Sequence, residues 1–161
     1  MTNIRIGMGY DVHRLKDGLS FILGGIKLTY KKGIVAHSDG DIVFHAISDA
    51  LLGAAGLGDI GHFFPDTDLK YQNIDSSIIL SEVLKQLNNH SYCIGNIDIT
   101  IVLEKPKLQS LMLQIKKSIS DHLKININQI NTKATTSEGM GFVGLEKGIA
   151  CYAVVLIEKM K

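Results

Sequence analysis

Apolar residues recur along this chain with two periods, and the periods divide it into elements. Ile42, Val43, Ala46, Ile47, Ala50, Leu51 and Ala54 follow i, i+3, i+4 spacing, which predicts a helix ended by Gly56. Asp75-Ser76-Ser77 offers capping side chains to a second helix reaching about His90, with Ile78, Ile79, Val83, Leu84 and Leu87 inward. A third helix covers about Leu108 to Leu123. Alternation marks the strands: Arg5 to His13, running into a loop at Lys16-Asp17-Gly18, and Asn96 to Glu104, stopped near Pro106. Further strands are predicted around Ile130 to Thr135 and Ile149 to Ile157. Ser20 to Tyr30, with Gly24-Gly25 in the middle, reads as a β-hairpin. Four or five strands in a mixed sheet and about three helices, without linker or repeat, fit a two-layer α+β sandwich.

Composition narrows the class. The 161 residues suit one catalytic-sized domain over 1–161, since domains run to roughly 150 residues. Seventeen basic against sixteen acidic residues leave a net charge of +1, which excludes nucleic-acid binding by bulk charge. The longest apolar run, Ile149 to Ile157, has nine residues, whereas a membrane span needs about 18. The N-terminal segment through His13 has neither a signal-peptide apolar stretch nor a transit-peptide pattern, so a cytoplasmic location without a membrane partner is expected. Cys93 and Cys151, both in apolar surroundings, exclude a disulfide framework and read as small core residues. His62, His90 and His122 read as surface residues.

The distribution of acids changes the picture. Eight of eleven aspartates and four of six histidines lie between Asp11 and Asp68, and no glutamate precedes Glu82. Surface helices ordinarily take their acid as Glu, so an Asp- and His-dense, Glu-free segment points to a polar site. Asp11 and His13 are spaced i, i+2, which on a strand turns both side chains to one face. His45, in the first turns of the predicted helix, is the best third ligand, with Asp41 and Asp49 one turn either side to orient its ring. Two imidazoles and one carboxylate form the donor set of a catalytic zinc with an open position. Read alone, the same residues are equally an exposed strand pair and a helix histidine bonded to Asp49.

A second cluster runs from Lys133 through Ala134, Thr135, Thr136, Ser137 and Glu138 into Gly139-Met140-Gly141-Phe142. Hydroxyls and free backbone N–H groups at a strand end bind phosphate oxygens, and a carboxylate among them requires a bridging cation. Lys105-Pro106-Lys107 offers cations nearby, and His37-Ser38 either caps a helix or donates to a phosphate. Each of these has a plain alternative as a solvated turn.

Five blocks together carry a resemblance: Gly9-Tyr10-Asp11-Val12-His13; Ala36-His37-Ser38-Asp39-Gly40-Asp41; Leu51 to Gly61; Phe64-Pro65-Asp66-Thr67-Asp68; and Lys133-Ala134-Thr135-Thr136. In order and spacing, from about Arg5 to the last strand, the chain resembles the 2-C-methyl-D-erythritol 2,4-cyclodiphosphate synthase family. That resemblance implies a homotrimer with active sites between neighbouring subunits. It implies a phosphorus–oxygen lyase of non-mevalonate isoprenoid precursor biosynthesis, in which the 2-phosphate of a CDP-linked methylerythritol attacks the β-phosphorus and expels CMP. The implied zinc ligands are Asp11, His13 and His45, one ion per site. Glu138 is the implied ligand of a second divalent cation, Mg²⁺ or Mn²⁺, bridging the phosphates.

Substrate contacts implied on the methylerythritol and phosphate side are Asp11, His13, His37, Ser38, Asp59, Ile60, Gly61, Phe64, Pro65, Asp66, Thr67 and Asp68. On the cytidine side they are Lys107, Ala134, Thr135, Thr136, Ser137 and Glu138, with Phe142 beside them. Thr136 and His37 take the catalytic roles. The chain departs from the family at Gly144-Leu145-Glu146-Lys147-Gly148, where Gly-Arg-Gly-Glu-Gly is usual. Leu145 removes an arginine that the family uses for phosphates of the substrate or of an isoprenoid on the trimer axis, so no axial ligand carries over. A zinc-dependent phosphohydrolase and a non-catalytic trimeric metal-binding protein are the competing readings.

Overall fold

The computed structural model describes residues 3–65, 68–71 and 73–160. Strand β1 (Ile4–Asp17) is followed by a miniature hairpin of β2 (Ile22–Leu23) and β3 (Ile26–Lys27), then β4 (Lys32–Val35). Helix α1 (Ile42–Ala55), the one-turn α2 (Ile60–Phe63) and α3 (Ser76–Asn89) lead to β5 (Tyr92–Val102). Helix α4 (Met112–Leu123), β6 (Ile130–Thr135), the one-turn α5 (Gly141–Gly144) and β7 (Gly148–Lys159) complete the chain. The five-stranded sheet has the order β4-β1-β7-β5-β6. Among the described residues only β5 and β6 run parallel, joined across α4; the other pairs are antiparallel, so the sheet is mixed as predicted.

The long helices cover one face, with α1 lying over β1 and β7, α3 beside α1, and α4 against β6. The α1–β1 contact is unusually close. A Cβ added at Gly7 would lie 1.9 Å from the carbonyl oxygen of Ala50, and one at Gly9 would lie 2.0 Å from that of Ala46. Ala46, Ala50 and Ala54 recur every four residues, so a stripe of methyl groups faces a strand that has no side chains at two alternate positions. Asp11 and His13 continue the same inward alternation beyond Gly9.

Helix α1 starts where two segments meet. The Asp41 carboxylate accepts the N–H groups of Val43 and Phe44 in the helix and of Gly24 and Gly25 in the β2–β3 turn. Gly24 and Gly25 both have positive φ, 57° and 78°, as a two-residue type I′ turn requires. Gly56 closes the helix in the left-handed conformation, φ 75°.

The opposite sheet face carries apolar side chains in solvent. Ile6 pairs with Leu156, Met8 with Val154 and Tyr10 with Tyr152, and all but Leu156 are exposed.

Several predicted boundaries move. Strand β1 continues to Asp17 because its last four residues pair with β4, a strand that no alternation announced. Strand β5 begins at Tyr92, since a bulge at Gly95 breaks its alternation without ending its pairing with β7. Helix α4 starts at Met112, after a turn in which the Leu111 N–H bonds to the Leu108 carbonyl. Cys93 is exposed, not a core residue, because the segment before the bulge lies at the open end of β5; Cys151 is fully buried as predicted. His122 is half-buried rather than on the surface, its ring 4.9 Å from that of Phe44.

Two glycine substitutions should act in opposite directions. Gly9→Ala forces α1 away from β1, and overpacking of this kind costs about 1–3 kcal/mol. Gly53→Ala, in a helix interior with nothing within 4 Å of the new methyl, stabilises by about 0.5–1 kcal/mol. Thermal unfolding of the two variants checks both signs.

Candidate functional site

Asp11, His13 and His45 meet where α1 crosses β1. The Asp11 carboxylate oxygen Oδ2 lies 3.1 Å from His13 Nε2 and 2.9 Å from His45 Nδ1, and the two ring nitrogens are 3.4 Å apart. A tetrahedral ion with bonds of about 2.0–2.1 Å spaces its donors about 3.3 Å apart. The three gaps bracket that value, and two imidazoles with one carboxylate suit zinc, so the donor set fits such an ion. Among the described residues, this is the one group of three acidic, histidine or cysteine side chains close enough to share an ion.

Electrostatics favour the arrangement. Burial opposes ionisation of Asp11, but hydrogen bonds from His13 and His45 outweigh it and hold the carboxyl well below the usual carboxylate range. His45 is 7% exposed. Its Nε2 points away from Asp11, 2.9 Å from Ser76 Oγ and 3.3 Å from Ser38 Oγ. The predicted role of Asp41 and Asp49 as acceptors for this ring is therefore corrected. Asp41 is committed to two N–H groups at the start of α1 and two in the β2–β3 turn, and Asp49 accepts the Ile60 N–H at 2.8 Å. Ser76 stands in their place. Nothing local in the sequence distinguishes it from a helix-capping serine, since the contact spans 31 residues.

Beside the three ligands lies a cleft of about 340 Å³, lined by Ala36, His37, Ser38, Ile60, Gly61, Phe64, Tyr71, Ile74 and Ile79. His37 is exposed and Ser38 half-buried on its wall. Phe64 packs edge-on to Tyr71, ring centroids 5.3 Å apart, forming an apolar side. Asp59 caps α2 by accepting the His62 N–H at 3.0 Å. Pro65 is half-buried and Asp68 exposed, the latter accepting the Lys70 N–H. Asp66 and Thr67 lie outside the described residues.

The second cluster forms a separate, larger cavity of about 690 Å³ at the ends of β5 and β6, lined by Leu103, Pro106, Lys107, Leu108, Gln109, Met112, Lys133, Ala134, Thr135 and Thr136. Lys107 faces it, whereas Lys105 is turned to Glu146, 3.3 Å away. Glu146 also accepts from Tyr30 Oη at 3.2 Å and lies 4.0 Å from Lys32 Nζ, so the departing Gly144–Gly148 segment is tied down by its own carboxylate. Thr136 is shared with a shallower depression of about 370 Å³ that includes Ser137, Glu138, Met140 and Phe142. There the Thr136 hydroxyl donates to Glu138 Oε1 at 3.2 Å, and the Ser137 N–H donates to Glu104.

Strand register relates the two regions. Asp11 pairs with Cys151, Cys151 with Ile101 and Ile101 with Ala134, one row across four strands. Three strand spacings amount to about 14 Å, and the buried Cys151 and Ile101 side chains fill the interval on the helix-covered face.

Comparison with known proteins shows what the whole chain is similar to. A 2-C-methyl-D-erythritol 2,4-cyclodiphosphate synthase of Listeria monocytogenes is 50% identical over 156 residues, covering 97% of this chain and 99% of its own. The backbone matches IspF of Plasmodium falciparum in its CDP complex with a TM-score of 0.88 at 36% identity, over 100% of this chain and 99% of that one. It matches the bifunctional IspDF of Campylobacter jejuni with a TM-score of 0.95 at 36% identity; this chain spans 44% of that longer one. The YgbB family model matches residues 4–158. With the triad, both cavities and nearly every residue of the chain inside these matches, the protein belongs to the YgbB family.

Proposed function

We propose that this chain is an enzyme that closes a cyclic diphosphate: the 2-phosphate of a CDP-linked methylerythritol attacks the β-phosphorus and CMP departs. The observation that carries the reading is the convergence of Asp11, His13 and His45 beside a cleft walled by His37 and Ser38. The name of the Listeria relative and the CDP in the Plasmodium complex support it.

One oxygen–phosphorus bond forms and the bond from the β-phosphorus to the bridging oxygen breaks, with the electron pair leaving on CMP. The nucleophile is already an anionic phosphate oxygen, so no strong base is required, and no Ser–His–Asp or Cys–His arrangement is needed. The difficulty is to fold a polyanion back on itself. Near-attack positioning contributes roughly 7–11 kcal/mol in favourable cases.

His37 and Ser38 hold the attacking phosphate at the cleft wall, and Phe64 with Ile60 and Gly61 packs the methylerythritol. Asp11, His13 and His45 would hold the zinc ion, which would supply Lewis acidity to the reacting diphosphate. Lys107, Ala134 and Thr135 take the cytidine side in the larger cavity. The Thr136 hydroxyl stabilises the transferring phosphoryl, with Ser137 beside it, and Glu138 is the carboxylate for Mg²⁺ or Mn²⁺. Phe142 closes the depression next to Glu138.

The cleft and the nucleotide cavity belong to one substrate only if different copies of the chain supply them, because core side chains fill the 14 Å row between them. A homotrimer meets that condition. Its natural contact surface is the apolar sheet face, where Ile6 is 70% and Met8 63% exposed.

His45→Ala should lower bound zinc from one equivalent towards none. It should also slow CMP release by about 10²-fold or more, as expected for several kcal/mol of lost charge stabilisation. Running the reaction in ¹⁸O-water separates cyclisation, which incorporates no label, from hydrolysis, which does. In the metal-free protein the lowered folded-state pKa of Asp11 contributes stability that is present above about pH 4 and lost as pH falls through the folded value. Asp11→Asn should therefore unfold at a temperature that changes less between pH 6 and pH 3. Met8→Glu leaves the core untouched and should convert the assembly to monomers in sedimentation, with loss of turnover.

A further inference from the structure

We propose that Ser76, anchored by Asp39, is the positioning residue that fixes the tautomer and ring plane of His45, so that Nδ1 is the nitrogen presented to the metal. This rests on the reading of Asp11, His13 and His45 as metal ligands.

The direction of each hydrogen bond follows from its neighbour. Asp39 is held in place by two backbone donors: its Oδ1 accepts the Asp41 N–H at 3.1 Å and its Oδ2 accepts the Ser76 N–H at 3.2 Å. Its Oδ1 is also bonded to Ser76 Oγ. A carboxylate only accepts, so the single hydroxyl hydrogen of Ser76 points to Asp39. Ser76 Oγ, fully buried, is then left with lone pairs alone for its other contact, His45 Nε2 at 2.9 Å. The ring must donate there, so when an ion takes the place of the hydrogen between Nδ1 and Asp11 Oδ2, the imidazole keeps its proton on Nε2 and offers Nδ1 to the metal.

Ser38 is the weaker competitor for the same Nε2, at 3.3 Å, and its oxygen already accepts the Gly40 N–H at 3.1 Å. With the imidazole proton taken by Ser76, the Ser38 hydroxyl hydrogen remains available to the cleft it lines. The same contacts clamp the His37–Asp41 turn to the start of α3: Asn73 N–H bonds to the His37 carbonyl at 2.7 Å and Asp39 N–H to the Ile74 carbonyl at 3.1 Å. The orientation of the ligand and of the phosphate-facing turn thus depends on one buried hydroxyl.

The test is metal binding by the full-length protein, with Zn²⁺ titrated against a competing chelator and Co²⁺ as a spectroscopic probe. Ser76→Ala should weaken Zn²⁺ binding about 10–100-fold, the usual cost of losing the partner of a ligating histidine. It should also reduce the intense visible absorption of tetrahedral Co²⁺, while Ser76→Thr, which keeps the hydroxyl, stays within about threefold of the parent. Asp39→Asn puts an amide among three donors and should weaken binding in the same way. It serves as the second variant if Ser76→Ala fails to fold, and far-ultraviolet circular dichroism establishes that each variant is native. Unchanged Zn²⁺ affinity and an unchanged Co²⁺ spectrum in a folded variant would overturn the assignment of Ser76 while leaving the three ligands intact. A parent protein that binds no stoichiometric Zn²⁺ would instead overturn the ligand reading itself.

Discussion

The backbone of α1 rests directly on the backbone of β1, and the active region depends on that contact. It exists because Gly7 and Gly9 present no side chains where the carbonyls of Ala50 and Ala46 arrive. Any larger residue at either position would lift the helix by the thickness of a methyl group or more. His45 precedes Ala46, and Asp11 follows Gly9 by two positions on the same strand face. The separation of helix and strand therefore sets the distances among the three ligand atoms. Bonds to a metal ion tolerate little variation in length, so a packing contact between small residues decides whether these three side chains can share an ion.

Around this contact the carboxylates of the Asp-rich segment take different parts. Burial raises the pKa of Asp41 even though the N–H groups of Gly25, Gly24 and Phe44 pull the other way, and it serves as the joint between a turn and a helix. Burial likewise raises Asp49, which holds the first residue of α2. Asp11 alone of the three is lowered, because its hydrogen bonds come from imidazoles. An abundance of aspartate over glutamate suits such short-range work, since the shorter side chain reaches nearby backbone N–H groups without spanning to solvent.

What the amino-acid pattern discloses, and what it hides, follows from the range of the interactions. The period of α1, its end at Gly56 and the same-face placement of Asp11 and His13 are local consequences of helix and strand geometry, and each is present as predicted. The grouping of Lys107 with Ala134, Thr135 and Thr136 follows from neighbouring strand ends. Strand β4 was not legible because its four residues are defined only by pairing with β1. The bulge at Gly95 obscured the start of β5 in the same way. Ser76 and Asp39 meet across 37 positions, and the capping character of both residue types masks the part they play beside His45. Asp41 and Asp49, at helical spacing from that histidine, are drawn away by backbone donors in other segments.

The position of β7 has a consequence for how the molecule comes into being. It lies in the middle of the sheet, between β1 and β5, yet it is the final strand in chain order. During synthesis on the ribosome, β1 can pair with β4 soon after both are made, but its other neighbour is made more than a hundred residues later. The β4–β1 and β5–β6 pairs can each form without it, but the two halves of the sheet are joined only once β7 has left the exit tunnel. Such long-range pairing slows folding, and in the interval the apolar edges of β1 and β5 are exposed to whatever else the cell offers them.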